Sequence, residues 1–265
     1  MVDGPPNGRI RERLVRCVVA TCAILSLLST SSGAVAQSDV RGTITVSAAA
    51  SLRDAFTEIG KAFRVRYPEA KVRFNFGSSA TLVTQISAGA PVDVAAFADR
   101  ATMDRLVSSG LLATAPTVVA RNSMMIAVKK GNPLKVSSVA DLNRVGVVAM
   151  CVATAPCGAY AKSVLTRAGV SITESRITRG TDVRAVVTQV SSGDAQAALV
   201  YVTDVLASAS SVSGVAIPRS LNVTVAYPIA VVKGSKNGPT ASAFVAFVSS
   251  AQSRAILKRW GFLSP

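Results

Sequence analysis

The stretch Thr43-Ile44-Thr45-Val46-Ser47-Ala48-Ala49-Ala50-Ser51-Leu52-Arg53-Asp54-Ala55-Phe56 decides how this chain is read. Ile44 and Val46 alternate with small polar residues, the period of a strand. Leu52, Ala55, Phe56, Ile59 and Phe63 then recur at helical spacing. A strand therefore gives way to a helix within a run of alanines, and Ser51 falls where the helix N-cap should be. A helix start has unpaired N–H groups and the positive end of the macrodipole, so it suits an anion. The alanines let a ligand approach the backbone. Taken alone, Ser51 reads as an ordinary cap. A second junction of the same kind shifts the reading toward a site.

That junction is Phe76-Gly77-Ser78-Ser79-Ala80-Thr81-Leu82, at the end of a strand in which Val72, Phe74 and Phe76 alternate. Gly77 permits backbone angles that let successive N–H groups converge on an anion. Leu82, Val83 and Ile86 form the inner face of the next helix, and Gly89 ends it. A third junction runs from the strand Val145–Met150 through Cys151-Val152-Ala153-Thr154-Ala155-Pro156-Cys157-Gly158 into a helix over Tyr160–Ala168. Thr181-Asp182-Val183-Arg184 opens another helix, with Val186, Val187 and Val190 on one side and Gly193 at its end, and Thr181 or Asp182 is the candidate cap. Ala197–Tyr201 reads as a buried strand ending in a tyrosine. Its hydroxyl needs a partner, either a structural hydrogen bond or a ligand in a cleft. Asp93 and Asp99 read as turn and cap residues rather than catalytic carboxylates.

Strands and helices alternate along the chain, so the class is α/β. Ligands in such folds bind at the carboxyl ends of strands, where these junctions lie. Two long apolar strands, Asn122–Val128 and Val223–Val232, bracket the middle of the chain. The chain is expected to leave one lobe at the first and return at the second.

Composition narrows the function. The 265 residues are 49% hydrophobic and 16% charged, enough for a substantial core. Formal net charge is +15, but no Lys/Arg run exceeds two and aromatics are 5%, so the platforms of a nucleic-acid binder are missing. There is no histidine, which removes Ser-His-Asp and Cys-His chemistry and most zinc and iron sites. No metal ligand set is expected, and no motif holds a carboxylate pair for an enzyme.

Residues 1–36 read as a signal peptide. Arg9, Arg11, Arg13 and Arg16 precede the apolar run Val18–Leu28, and Ala34-Val35-Ala36 is a small-x-small cleavage site. Cleavage is expected after Ala36, and export follows from it. Losing four arginines, one aspartate and one glutamate takes the charge from +15 to +13. Cys17 and Cys22 lie within this segment. Thr21 before Cys22 argues against a lipoprotein reading. No later stretch reaches the roughly 20 apolar residues of a membrane helix. Cys151 and Cys157 are expected to pair as a disulfide, since export implies an oxidising compartment and no histidine or third cysteine completes a metal site.

Several motifs, in order, resemble those of the molybdate-binding proteins of ABC importers. They are Ala48-Ala49-Ala50-Ser51-Leu52, Phe76-Gly77-Ser78-Ser79-Ala80-Thr81-Leu82, Gly89-Ala90-Pro91-Val92-Asp93, Phe97-Ala98-Asp99, Pro156-Cys157-Gly158-Ala159-Tyr160-Ala161, Asp182-Val183-Arg184, Val200-Tyr201-Val202-Thr203-Asp204 and Tyr227-Pro228-Ile229-Ala230-Val231-Val232. The resemblance spans about residues 42–263. It implies a type II periplasmic binding protein fold, with two α/β lobes, two crossovers and a cleft between them. The lobes are expected at 41–122 plus 228–265 and at 123–227. It also implies an oxyanion site, with no cofactor. Ser51 and Ser79 would each give a hydroxyl and a backbone N–H. Backbone N–H groups would come from Cys157, where the family usually has alanine, and from Val183. Tyr201 would give its phenol. The expected ligand is molybdate or tungstate. The expected partners are a membrane permease and its ATPase, with the protein itself monomeric. Arg184 is assigned to lobe contacts or the surface rather than to the anion.

Overall fold

Ile44, Val46 and Ala48 point to one side of the first strand and are wholly buried. This strand, β1 (Gly42–Ala49), pairs in parallel with β2 (Ala70–Gly77) and β3 (Val94–Ala96). The structure is a computed structural model that describes Met1, Gly4 and residues 39–265. Nearly all of the expected signal peptide, 1–36, lies outside the described residues.

Helix α1 (Arg53–Arg66) follows β1 and buries Ala55, Phe56, Ile59 and Phe63, the helical stripe expected from sequence. Phe63 meets Phe244 of α7 (Gly238–Val248) edge-on, with ring centroids 5.3 Å apart, and Phe56 meets the same ring at 6.2 Å. Full burial of a phenylalanine contributes about 1.5–3 kcal/mol, so these rings account for much of the local cohesion. Helices α2 (Ser79–Ser87) and α3 (Arg100–Ser108) pack together over a second cluster around Leu82, Phe97, Met103 and Leu106. Asp99 caps α3 by accepting from the Thr102 N–H at 2.8 Å. Asp93 accepts from the Thr45 N–H at 2.7 Å and from the Ser235 hydroxyl at 2.5 Å. Both carboxylates therefore serve the scaffold.

Strand β4 (Thr117–Lys129) joins two halves of the fold. Its first part, Thr117–Ser123, pairs antiparallel with β9 (Thr224–Val231), and β9 in turn pairs with β3. From Met124 to Lys129 it pairs instead with β7 (Ala197–Tyr201) and β8 (Val212–Ala216). β5 (Val148–Cys151) and β6 (Ile177–Gly180) continue that second half in parallel. Among the described residues the strand order is β2-β1-β3-β9-β4-β7-β5-β6, with β8 beside β4. Helices α4 (Pro156–Arg167), α5 (Val183–Ser192) and α6 (Val202–Ala207) belong to the second half.

α8 (Ala251–Arg259) closes the chain against α1, where the Trp260 Nε1–H donates to Glu58 Oε2 at 2.8 Å. Among the described residues no helix is long and apolar enough to cross a membrane.

Candidate functional site

Four helix starts converge on one place. Ser79 is the first residue of α2, Cys157 the second of α4 and Val183 the first of α5. Ser51 lies in the 3-10 turn Ala50–Leu52 that leads into α1. These four residues and Tyr201, at the end of β7, line a single small cavity of about 20 Å³. About 10–15 Å³ of such space holds one water, so the pocket is narrow. Small residues, Ala49, Ala50, Gly77 and Ala98, form much of the remaining wall.

The lining is rich in donors. The N–H groups of Ser51, Ser79, Cys157 and Val183 have no acceptor among the described residues. All four residues are buried, where an unpaired N–H is costly. Among the described residues Asp182 is the only charged one in the wall, and its carboxylate caps α5. It accepts from the N–H groups of Arg184 at 2.8 Å and Ala185 at 3.1 Å, leaving that of Val183 unpaired.

Each serine hydroxyl is held by a partner. The Ala98 N–H donates to Ser79 Oγ at 3.0 Å. Ser51 Oγ lies 2.9 Å from the Tyr227 hydroxyl, and Asn122 Nδ2 donates to that same hydroxyl at 3.3 Å. Ser51 is therefore not the cap expected from sequence. The intervening 3-10 turn places Leu52 at the cap position, and the Ser51 side chain reaches across to β9 instead.

Tyr201 supplies the least ordinary group. Its hydroxyl is buried and has no hydrogen-bond partner among the described residues. Burial pushes this phenol well above its usual pKa, so it stays protonated and able to donate. Its ring rests edge-on against Tyr227 at 6.1 Å, and Tyr227 against Phe262 at 5.2 Å. An unsatisfied buried hydroxyl costs about 1–3 kcal/mol, which a ligand acceptor would recover.

Arg184 is not part of the wall. It pairs with Asp54 in the first turn of α1, and its Nε lies 4.0 Å from Asp204 Oδ1. It therefore ties α5 to α1. Asp204 is buried and accepts from the Tyr201 N–H at 3.2 Å. Burial raises its pKa to about 7, with Arg184 pulling the other way.

The Cys151–Cys157 disulfide is formed, with Cα atoms 5.8 Å apart, and it fixes the loop that presents the Cys157 N–H. Gly158 has to be glycine here, because a Cβ would stand 2.2 Å from the Val152 carbonyl oxygen. The chain-entropy model gives so short a loop about 2–2.5 kcal/mol of stabilisation. Replacing both cysteines by alanine should therefore lower the melting temperature by about 5–9 °C. Ligand binding should survive, since the donor belongs to the backbone. Scanning calorimetry with and without ligand checks both statements; an unchanged melting temperature, or lost binding in a folded variant, would contradict them.

The five residues expected from sequence are thus brought together. Tyr227 and Asn122 join them through the Ser51 hydroxyl, without a local motif that marks them. Their one signal is a polar residue inside each long apolar strand.

Residues 44–263 match the family described as bacterial extracellular solute-binding protein. The molybdate-binding protein ModA of Mycobacterium tuberculosis is 38% identical over 263 residues, covering 99% of this chain and 98% of that protein. The Escherichia coli protein of the same name is 33% identical over 230 residues, covering 83% and 89%. Among solved structures, the periplasmic molybdate-binding protein of Azotobacter vinelandii superposes with a TM-score of 0.76 at 22% identity, covering 84% of this chain and 99% of that one. The substrate-binding domain of a putative molybdenum ABC transporter from Clostridium difficile gives 0.64 at 27% identity, with the same coverage.

Proposed function

The chain belongs to the molybdate-binding family of bacterial extracellular solute-binding proteins, and from that premise we propose that it captures molybdate at the four helix starts and delivers it to an ABC importer. It has the two-lobed α/β fold of these proteins and is a transport binding protein rather than an enzyme.

One observation carries the proposal. Buried, unpaired donors from Ser51, Ser79, Cys157, Val183 and Tyr201 surround one small cavity that no lysine or arginine among the described residues lines. Oriented dipoles at the helix starts would balance the ligand's charge. Hydroxyls of Ser51, Ser79 and Tyr201 would complete the set. Such a lining favours a fully deprotonated tetrahedral dianion. Hydrogen phosphate keeps a proton and needs an acceptor, which the site does not offer freely. Molybdate, tungstate and sulfate need none. The larger radius of molybdate and tungstate suits a wider cage, in which sulfate would form long, weak bonds. Tungstate therefore stands beside molybdate as a ligand.

The lobes would meet across this cavity. The switch of β4 partners between Ser123 and Met124 supports one crossing there, and the other, expected between 227 and 228, would fall within β9. Ligand binding would close the lobes by hinge motion. The Arg184–Asp54 pair would then fasten the closed form. The signal peptide reading adds export to the cell envelope, cleavage after Ala36 and delivery by a monomer to a membrane permease and its ATPase.

Titration calorimetry with molybdate, tungstate, sulfate and phosphate tests this. Tight molybdate and tungstate binding is expected, with sulfate much weaker. Ser79→Ala should weaken molybdate by about 1.5–3 kcal/mol, the range for a hydrogen bond to a charged group. Tight sulfate binding with none to molybdate would refute the assignment.

A further inference from the structure

The two site serines do not choose their hydrogen-bond directions freely. The Ala98 N–H can only donate, so Ser79 Oγ accepts there and must place its own hydrogen elsewhere. Ser51 is constrained through a longer chain. The Ser123 N–H donates to Asn122 Oδ1 at 2.9 Å, which turns Asn122 Nδ2 toward the Thr203 hydroxyl at 2.9 Å and the Tyr227 hydroxyl at 3.3 Å. Tyr227 therefore accepts from Asn122, and its single proton has Ser51 Oγ as acceptor at 2.9 Å. A phenol is also the better donor of that pair, because its oxygen lone pairs are delocalised into the ring. Tyr227 and Asn122 are wholly buried, so solvent does not reset this direction.

We propose that Asn122 and Tyr227 are positioning residues that fix the direction of the Ser51 hydroxyl and thereby set the site's rejection of protonated oxyanions. With Tyr227 donating, the Ser51 hydrogen is free only for the ligand. Were Ser51 instead to accept from a ligand O–H, its own hydrogen would be stranded in a buried site, at the cost of an unsatisfied polar group. At Ser51 a bare oxo-dianion leaves no hydrogen stranded, whereas an oxyanion that turns its proton to Ser51 does. The inference rests on the oxyanion reading above and adds residues that touch no ligand.

Asn122→Asp should reverse the chain. The new carboxylate accepts from Tyr227, Tyr227 then accepts from Ser51, and Ser51 turns a lone pair to the ligand. Molybdate and hydrogen phosphate are both dianions at about pH 8, so the added buried charge affects them alike and cancels in their affinity ratio. Calorimetry should show that ratio falling at least about tenfold in Asn122→Asp, the size of one stranded hydrogen bond. Tyr227→Phe added to Asn122→Asp should restore the wild-type ratio, because the relay is cut. A ratio unchanged in Asn122→Asp, or shifted equally with Phe at 227, would overturn the inference. A double-mutant cycle covers the case in which Asn122→Asp does not fold, since Tyr227→Phe keeps its ring against Tyr201 and Phe262. Tyr227→Phe should weaken molybdate about tenfold in the wild type and less than about twofold in Ser51→Ala. Equal losses in both backgrounds would overturn it. If the wild-type protein binds no tetrahedral dianion, the oxyanion reading falls and this inference with it; if it does bind, only these variants decide.

Discussion

Val183→Pro is expected to weaken molybdate binding about 10- to 100-fold while leaving the fold intact. Proline removes the one atom in question, the N–H at the first position of α5. That position is where helices tolerate proline best, because its N–H has no partner within the helix. The preceding residue must also be extended, and Asp182 already is, at φ −146 and ψ 175. Loss of a hydrogen bond to a charged group corresponds to about 1.5–3 kcal/mol. Val183→Ala is the control, since it trims the same buried side chain but keeps the N–H. Calorimetry should find Val183→Ala near the wild type and Val183→Pro far weaker. Equal affinities in the two would take the Val183 backbone out of the site.

Tyr201→Phe should move stability and affinity in opposite directions. In the free protein the Tyr201 hydroxyl is buried without a partner. Deleting it removes a penalty of about 1–3 kcal/mol, so the ligand-free variant should melt about 3–9 °C higher. With molybdate present the same hydroxyl is a donor to a charge, so affinity should drop about tenfold or more. Melting curves with and without molybdate read both effects. A ligand-free variant that melts lower would mean that the hydroxyl has a structural partner and is not held for a ligand.

Part of the candidate site is legible in the sequence because its signals are local. Ser51, Ser79 and Tyr201 each sit where a strand pattern ends, whereas Cys157 and Val183 enter the candidate site only through the resemblance of their motifs, because no strand pattern ends next to them. What escaped notice was non-local. Tyr227 reaches Ser51 from 176 residues away, and Asn122 reaches Tyr227 from 105. Only the pairing of β4 with β9 brings them side by side. The strands β6, Ile-Thr-Arg-Gly, and β8, Val-Ser-Gly-Val-Ala, leave no clear pattern in the sequence. Each is only four or five residues long and carries glycine and polar residues, so periodicity has little to work on. β4 was read from Asn122, but it begins at Thr117. α8 carries a weak helical signal, since Ala251–Arg259 offers only Ser253, Ile256 and Leu257 as a buried face. Ser51 shows the reverse error. Its position suggested a cap, but a distant tyrosine outcompetes the local N–H groups for its hydroxyl.

A crystal structure with molybdate bound, the metal located by its anomalous scattering, tests the central claim most directly. The account predicts one ion in the cavity, with its oxygens about 2.7–3.2 Å from the hydroxyls of Ser51, Ser79 and Tyr201 and from the N–H groups of Ser51, Ser79, Cys157 and Val183. An ion found elsewhere, or gripped chiefly by lysine and arginine side chains, would contradict it.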